Sequence, residues 1–125
     1  MKRIIIHWTA GNYYPSDYEK EHYHFLIDKD GRVHNGKFSP ECNEICRVGK
    51  YAAHTGGGNT GSIGVAICAM AGFKSKNSVG NYPITKKQFE STMEFCAELC
   101  KKYSIEITPQ NLSLIHISEP TRPEP

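Results

Sequence analysis

The sequence predicts an α/β or α+β domain, a mixed β-sheet with helices packed against it. Three observations carry this reading. KRIIIHW (2–8) and SIGVAICAM (62–70) are apolar, largely β-branched runs of the kind that form buried strands. Between them lies a hairpin pattern around Asp30-Gly31, where glycine tolerates the positive φ of a tight turn. After them comes a long amphipathic helix. The order strand, hairpin, strand, helix, strand places helices on a sheet.

Taken in order, the first strand ends at a loop, Thr9–Pro15, that holds Gly11, Asn12 and Pro15. Ser16 or Asp17 can cap a short helix through about His22. Phe25 and Ile27 alternate with their neighbours, so the hairpin runs from Tyr23 to about Asn35. Residues 36–61 are irregular and rich in glycine, and so long a loop in a compact domain is usually functional. Residues 72–83 form a second loop after the central strand. Thr85 and Gln88 fit a capping box, and Phe89, Met93, Cys96, Leu99, Cys100 and Tyr103 follow at helical spacing. That predicts a helix over about 86–103. Ile105 and Ile107 suggest a return to the sheet, interrupted by Pro109. No internal repeat is visible.

A chain of 125 residues is long enough for one domain and too short for two. Its 38% hydrophobic and 22% charged content fits a globular protein rather than a disordered one. A net charge of +2, with no Lys/Arg block, argues against a nucleic-acid partner. No apolar run is long enough to span a membrane, and three isoleucines are too few for a secretory leader. The five cysteines are an odd number, which argues against a full disulfide framework. The expectation is buried or half-buried thiols. A zinc site using Cys42, Cys46, Cys96 and Cys100 would lack the usual knuckle spacing.

Six histidines exceed what packing needs. His7 stands at the end of the first strand, where α/β sheets gather ligands and catalytic groups. Tyr23 and His24 open the hairpin and, as strand neighbours, point to opposite faces. His54 lies in AAHTGGGNTG, which lacks the spacing and context of a phosphate-binding loop. His22 and His34 read as solvated. A zinc hydrolase needs about three protein ligands and an open position for water. Here spacing offers His7 and then a choice among His24, His54 and His116, with no HExxH helix, so a metal site is suggested but not closed.

IIIHWTAG (4–11), YHFLIDKDGRVHNG (23–36), AAHTGGGNTGSIGVAI (52–67) and the long helix, in this order, resemble the zinc-dependent N-acetylmuramoyl-L-alanine amidases. These include phage lysozyme-like amidases and the related peptidoglycan recognition proteins. The resemblance covers roughly residues 3–111. It implies a mixed, largely parallel sheet flanked by helices and a zinc ion, Zn2+, at the base of a peptide-binding groove. It implies hydrolysis of the amide between N-acetylmuramic acid and L-alanine, with peptidoglycan as the partner. His7 then matches the first zinc ligand and Tyr23 the catalytic tyrosine. His54 and Thr55 match the segment lining the groove, and His24 lies beside it as a further substrate-side position. Some members carry a glutamate where this chain has Val65, Ala66, Ile67 and Cys68, which favours Tyr23 as the catalytic group. The biological expectation is a phage or prophage endolysin, held in the cytoplasm of the bacterial host until released to the wall. The alternative is a non-catalytic peptidoglycan-binding module that has lost zinc ligands.

The pattern holds to Asn111. The closing LSLIHISEPTRPEP matches nothing in the family pattern and resembles a translated sequencing adapter. The expected division is therefore an amidase domain over 1–111, incomplete at its C-terminus, and a foreign tail over 112–125. His116 is the candidate second ligand in that tail, about one residue out of register with the family pattern. One matched ligand cannot hold zinc, so this polypeptide is expected to bind the ion weakly and turn over slowly.

Overall fold

The computed structural model describes residues 1–47, 49–54, 59–108 and 111–114. The elements are β1 (Arg3–Trp8), α1 (Asp17–His22), β2 (Phe25–Ile27), β3 (Val33–Asn35), a 3₁₀ turn (Pro40–Asn43), β4 (Ser62–Ile67), α2 (Lys86–Lys102) and β5 (Leu112–Leu114). The strands form one sheet in the order β3-β2-β4-β1-β5. β1 pairs in parallel with β4 and β5, β2 pairs in parallel with β4, and only β2–β3 is antiparallel. This is the mixed, largely parallel sheet that was expected. Strand β5 lies beyond Asn111, with Leu112 opposite Ile4 and Leu114 opposite Ile6.

Strand alternation sorts the side chains. Ile4, Ile6 and Trp8 of β1 and Ile63, Val65 and Ile67 of β4 form one core with Cys96, Leu99, Cys100 and Ile105. That face belongs to α2. The intervening residues, His7 on β1 and Gly64 and Ala66 on β4, therefore face the other way. There Tyr23, Leu26, Ala66 and Cys68 form a second, smaller cluster.

α2 begins as its sequence dictates, with a complete capping box between Thr85 and Gln88. Its buried stripe differs from the expected one. Phe89 and Met93 are exposed, and the buried residues of the first turns are Gln88 and Thr92. The reason is polar: the Gln88 amide donates to the carbonyls of Ile27 (3.3 Å), at the end of β2, and Cys68 (2.8 Å), just past the end of β4. The helix stops because Ser104 takes a left-handed φ of 55° and the Ile105 N–H turns back to Cys100 O. Ile105 is thereby buried in the core while Ile107 is exposed. The expected strand at 105–107 is absent, and the chain rejoins the sheet only at Leu112.

The hairpin turn is longer than the Asp30-Gly31 signal suggested. The buried Asp28 carboxylate accepts from the N–H groups of Asp30 (2.8 Å) and Arg32 (3.0 Å) and from His34 Nε2 (2.8 Å). His34, expected to be solvated, is thus tied into the turn. Desolvation pushes the Asp28 carboxyl up, but the hydrogen bonds from His34, Arg32 and Asp30 outweigh it and hold it below its ordinary value. All five cysteines are free, and burial pushes the Cys68 and Cys96 thiols up to about 12. Cys68 and Cys96 are packing residues, not nucleophiles. Among the described residues no helix is long and apolar enough to cross a membrane.

Candidate functional site

The site is built on the two central strands, on the face turned away from α2. His7 occupies the last turn of side chains on β1 and is almost fully buried. Its neighbour across the ladder is Ala66 on β4. Two positions earlier on β4 stands Gly64, and its missing side chain makes the site. A Cβ there would fall 2.5 Å from Cγ of His54, so the His54 ring lies directly on the strand backbone. Gly64 also grips His24 from both sides. Its carbonyl accepts the His24 N–H (2.9 Å) and its own N–H donates to His24 Nδ1 (2.9 Å).

Three imidazoles and a phenol meet here. His7 Nε2 and His54 Nδ1 are 3.1 Å apart, with ring centroids at 5.1 Å. The Tyr23 ring lies 5.3 Å from that of His7, and the His24 ring 5.5 Å from that of His54. A buried asparagine holds the group together. The Asn43 amide nitrogen donates to Ala52 O (2.9 Å) and Asn59 O (3.1 Å), while its oxygen accepts from Ala52 N–H (2.9 Å) and faces His24 Nε2 (3.0 Å). Because Ala52 presents both a donor and an acceptor, only one orientation of the Asn43 amide works. His24 must then be the Nε2–H tautomer, which agrees with its Nδ1 receiving the Gly64 N–H. Asn59 completes the clamp by accepting the His54 backbone N–H at 3.0 Å.

Burial keeps these rings neutral. Desolvation lowers His7 to about 3. His24 falls to about 4 for the same reason, against opposing pulls from Asn43 and Glu41. His54 lies well below its ordinary value, through desolvation first and then through the charge that His7 or His24 would carry beside it. At neutral pH the site is an uncharged set of imidazoles able to pass hydrogen bonds or offer lone pairs.

The structure thus brings His7, Tyr23, His24 and His54 together. Tyr23 and His24 were expected to point to opposite faces; both reach the site because they lie between α1 and β2, where strand alternation does not apply. The structure commits both ring nitrogens of His24 to protein partners, so a substrate contact through that ring would have to displace one. Thr55 and His116, the other sequence candidates, lie outside the described residues. His22 corrects an expectation. Half-buried rather than solvated, it bonds Ala53 O through Nδ1 (2.9 Å), packs at a tilt against Tyr18 (4.4 Å between centroids) and lines a groove of about 550 Å³ with Tyr51 and Phe38. Sequence reasoning missed Asn43, Asn59 and Gly64. Only Gly64 gave a signal, an isolated glycine inside an apolar strand, which marks close approach of another group.

A hydrolytic zinc ion needs about three protein ligands. Among the described residues, no three His, Cys, Asp or Glu side chains come together to hold a metal ion. These residues alone do not fit zinc, and no step of the chemistry can be assigned to it from them.

A sequence profile of the N-acetylmuramoyl-L-alanine amidase family matches residues 1–123. The chain therefore belongs to the N-acetylmuramoyl-L-alanine amidase family. No curated protein sequence matches it. Among solved structures it is similar to Drosophila peptidoglycan recognition protein SD, at 21% identity and a TM-score of 0.58, covering 91% of this chain and 68% of that one. It is also similar to the E. coli amidase AmiD in complex with anhydro-N-acetylmuramic acid-L-Ala-D-γ-Glu-L-Lys, at 18% identity and a TM-score of 0.62, covering 91% of this chain and 48% of that one. A third similar structure is the endolysin amidase LysCS from Clostridium intestinale, at 19% identity and a TM-score of 0.57, covering 90% and 68%. At these identities the likeness shows the fold.

Proposed function

We propose that this chain is a peptidoglycan hydrolase that cleaves the amide between the lactyl group of N-acetylmuramic acid and L-alanine. The observation that carries the reading is the grouping of His7, Tyr23 and His54 on one face of the central strands in a chain of this family. Family membership supplies the reaction class, and the grouping supplies residues suited to it. Tyr23 is the donor to the oxygen that becomes negative when the amide carbon turns tetrahedral. His7, neutral at working pH, is the group that the resemblance assigns to zinc. The described residues place no full ligand set around His7, and affinity comes from several ligands acting together. Zinc is therefore expected to be held weakly by this polypeptide. Stoichiometric zinc in the protein after dialysis, by elemental analysis, would refute that expectation. The similarity to an endolysin supports placing the enzyme in a phage or prophage lysis system, made in the host cytoplasm and acting at the wall.

A second reading, a binding module without catalysis, is favoured by the His7–His54 contact, which turns the facing ring nitrogens toward each other. Digestion of purified cell wall separates the two. The enzyme reading expects new L-alanine amino termini, released slowly and suppressed by a chelator or by His7→Ala. The binding reading expects co-sedimentation with wall and no such termini.

A further inference from the structure

We infer that Tyr103 is a positioning residue for the site: from the α2 side of the sheet it holds the 3₁₀ turn whose Asn43 orients His24. The turn has little of its own to keep it in place. Pro40–Asn43 is a single 3₁₀ turn, and its N-cap, Ser39, makes no side-chain cap bond. Yet it carries Asn43, whose side chain needs four hydrogen bonds aligned at once. One of these faces His24 Nε2 at 3.0 Å. Two residues before Asn43, in the same turn, the Glu41 carboxylate accepts from the Tyr103 hydroxyl at 2.7 Å. A displacement of Glu41 therefore carries Asn43 with it.

Tyr103 has a fixed base from which to act. It is the C-cap of α2, its N–H bonds Leu99 O, and its ring packs against the core that α2 shares with β1 and β4. Burial first, and then the Glu41 carboxylate, push its hydroxyl up to about 12, so it remains the donor at neutral pH. The bond spans 62 residues and ties the layer of α2 to the layer of the site. The other outside contact of this segment is the Met1 amine with Glu44. It is longer, at 3.7 Å, and its carboxylate is exposed, and such pairs contribute little. From the β4 side, the Gly61 N–H closes on the turn by donating to Asn43 O at 2.7 Å. Tyr103 acts on His24 only through Glu41 and Asn43. Its meaning for catalysis rests on the amidase reading, but the strut itself does not.

Native-state hydrogen exchange of the intact chain, followed by NMR at neutral pH, tests this. The probes are the Ala52 N–H, which donates to Asn43 Oδ1, and the Gly61 N–H, which donates to Asn43 O. The Arg32 N–H, bonded to Asp28 in the hairpin turn, is the control. Tyr103→Phe keeps the ring and removes one hydrogen bond, so both probes should exchange about three- to tenfold faster while Arg32 does not change. The His24 ring proton shifts should move in the same variant. Glu41→Ala should act alike, and Glu41→Gln, which keeps an acceptor, should stay near the wild-type rates. Unchanged probe rates or unmoved His24 shifts in Y103F, equal acceleration at Arg32, or E41Q no better than E41A overturns the inference. Exchange needs no substrate. Faster probes with no amide cleavage would defeat the amidase reading and leave the strut standing, whereas unchanged probes with cleavage would defeat the strut alone.

Discussion

Acidification should unfold this protein through its own site. His7, His24 and His54 are buried and stay neutral in the folded state, with His7 lowered to about 3 and His24 to about 4. In the unfolded chain each takes up a proton near the ordinary histidine value of about 6.5. A depressed folded pKa contributes stability that is present above the unfolded value and lost as pH falls. The slope of stability with pH follows the protons bound by the unfolded state in excess of the native one. At pH 5.5 each ring costs about 1 kcal/mol or slightly more, and three rings about 4 kcal/mol. A small domain has only about 5–15 kcal/mol in all. Urea unfolding at pH 7.5 and 5.5 with chelator present measures this. With a urea slope of roughly 1–2 kcal/mol per molar, the midpoint should fall by roughly 2–4 M. A midpoint that stays put between these pH values would refute the claim that the three rings are buried and neutral.

Other perturbations test single links. Gly64→Ala drives a methyl group into the His54 ring, where Cγ would stand 2.5 Å away, and should cost about 2 kcal/mol in thermal unfolding. Asn43→Ala strands the His24 Nε2–H, the Ala52 N–H and two carbonyls in the interior, and should cost about 3 kcal/mol or more by urea unfolding. Asp28→Asn removes a carboxylate held below its ordinary pKa, whose stabilisation is present above the unfolded value and lost as pH falls through the depressed folded one. The variant should therefore lose stability at pH 7 and show a flatter stability profile below pH 5 than the wild type. Thr85→Ala breaks the α2 capping box and should cost about 1 kcal/mol, with no effect on the imidazole NMR shifts.

Much of the fold was legible because it rests on local signals. β1 and β4 announce themselves as apolar runs, and α2 announces its start with Thr85 and Gln88. What stayed hidden depends on contacts distant in sequence. The buried stripe of α2 runs through Gln88 and Thr92 rather than Phe89 and Met93, because the Gln88 amide donates to the carbonyls of Ile27 and Cys68 at the strand ends. Hydrophobic periodicity cannot report such a bond. The strand expected at Ile105 and Ile107 failed because Ser104 turns the chain left-handed, a conformation serine rarely advertises. At the site, His7, Tyr23 and His54 were readable from motif and strand position. Asn43 was not, since its four hydrogen bonds reach across nine to nineteen residues of irregular chain.

The most direct measurement is mass spectrometry of a soluble N-acetylmuramoyl-L-alanyl peptide incubated with the purified chain and added zinc. The account predicts two products, free N-acetylmuramic acid and a peptide that begins with L-alanine, formed by the wild type and not by His7→Ala. Intact substrate, cleavage at any other bond, or equal cleavage by His7→Ala would contradict it.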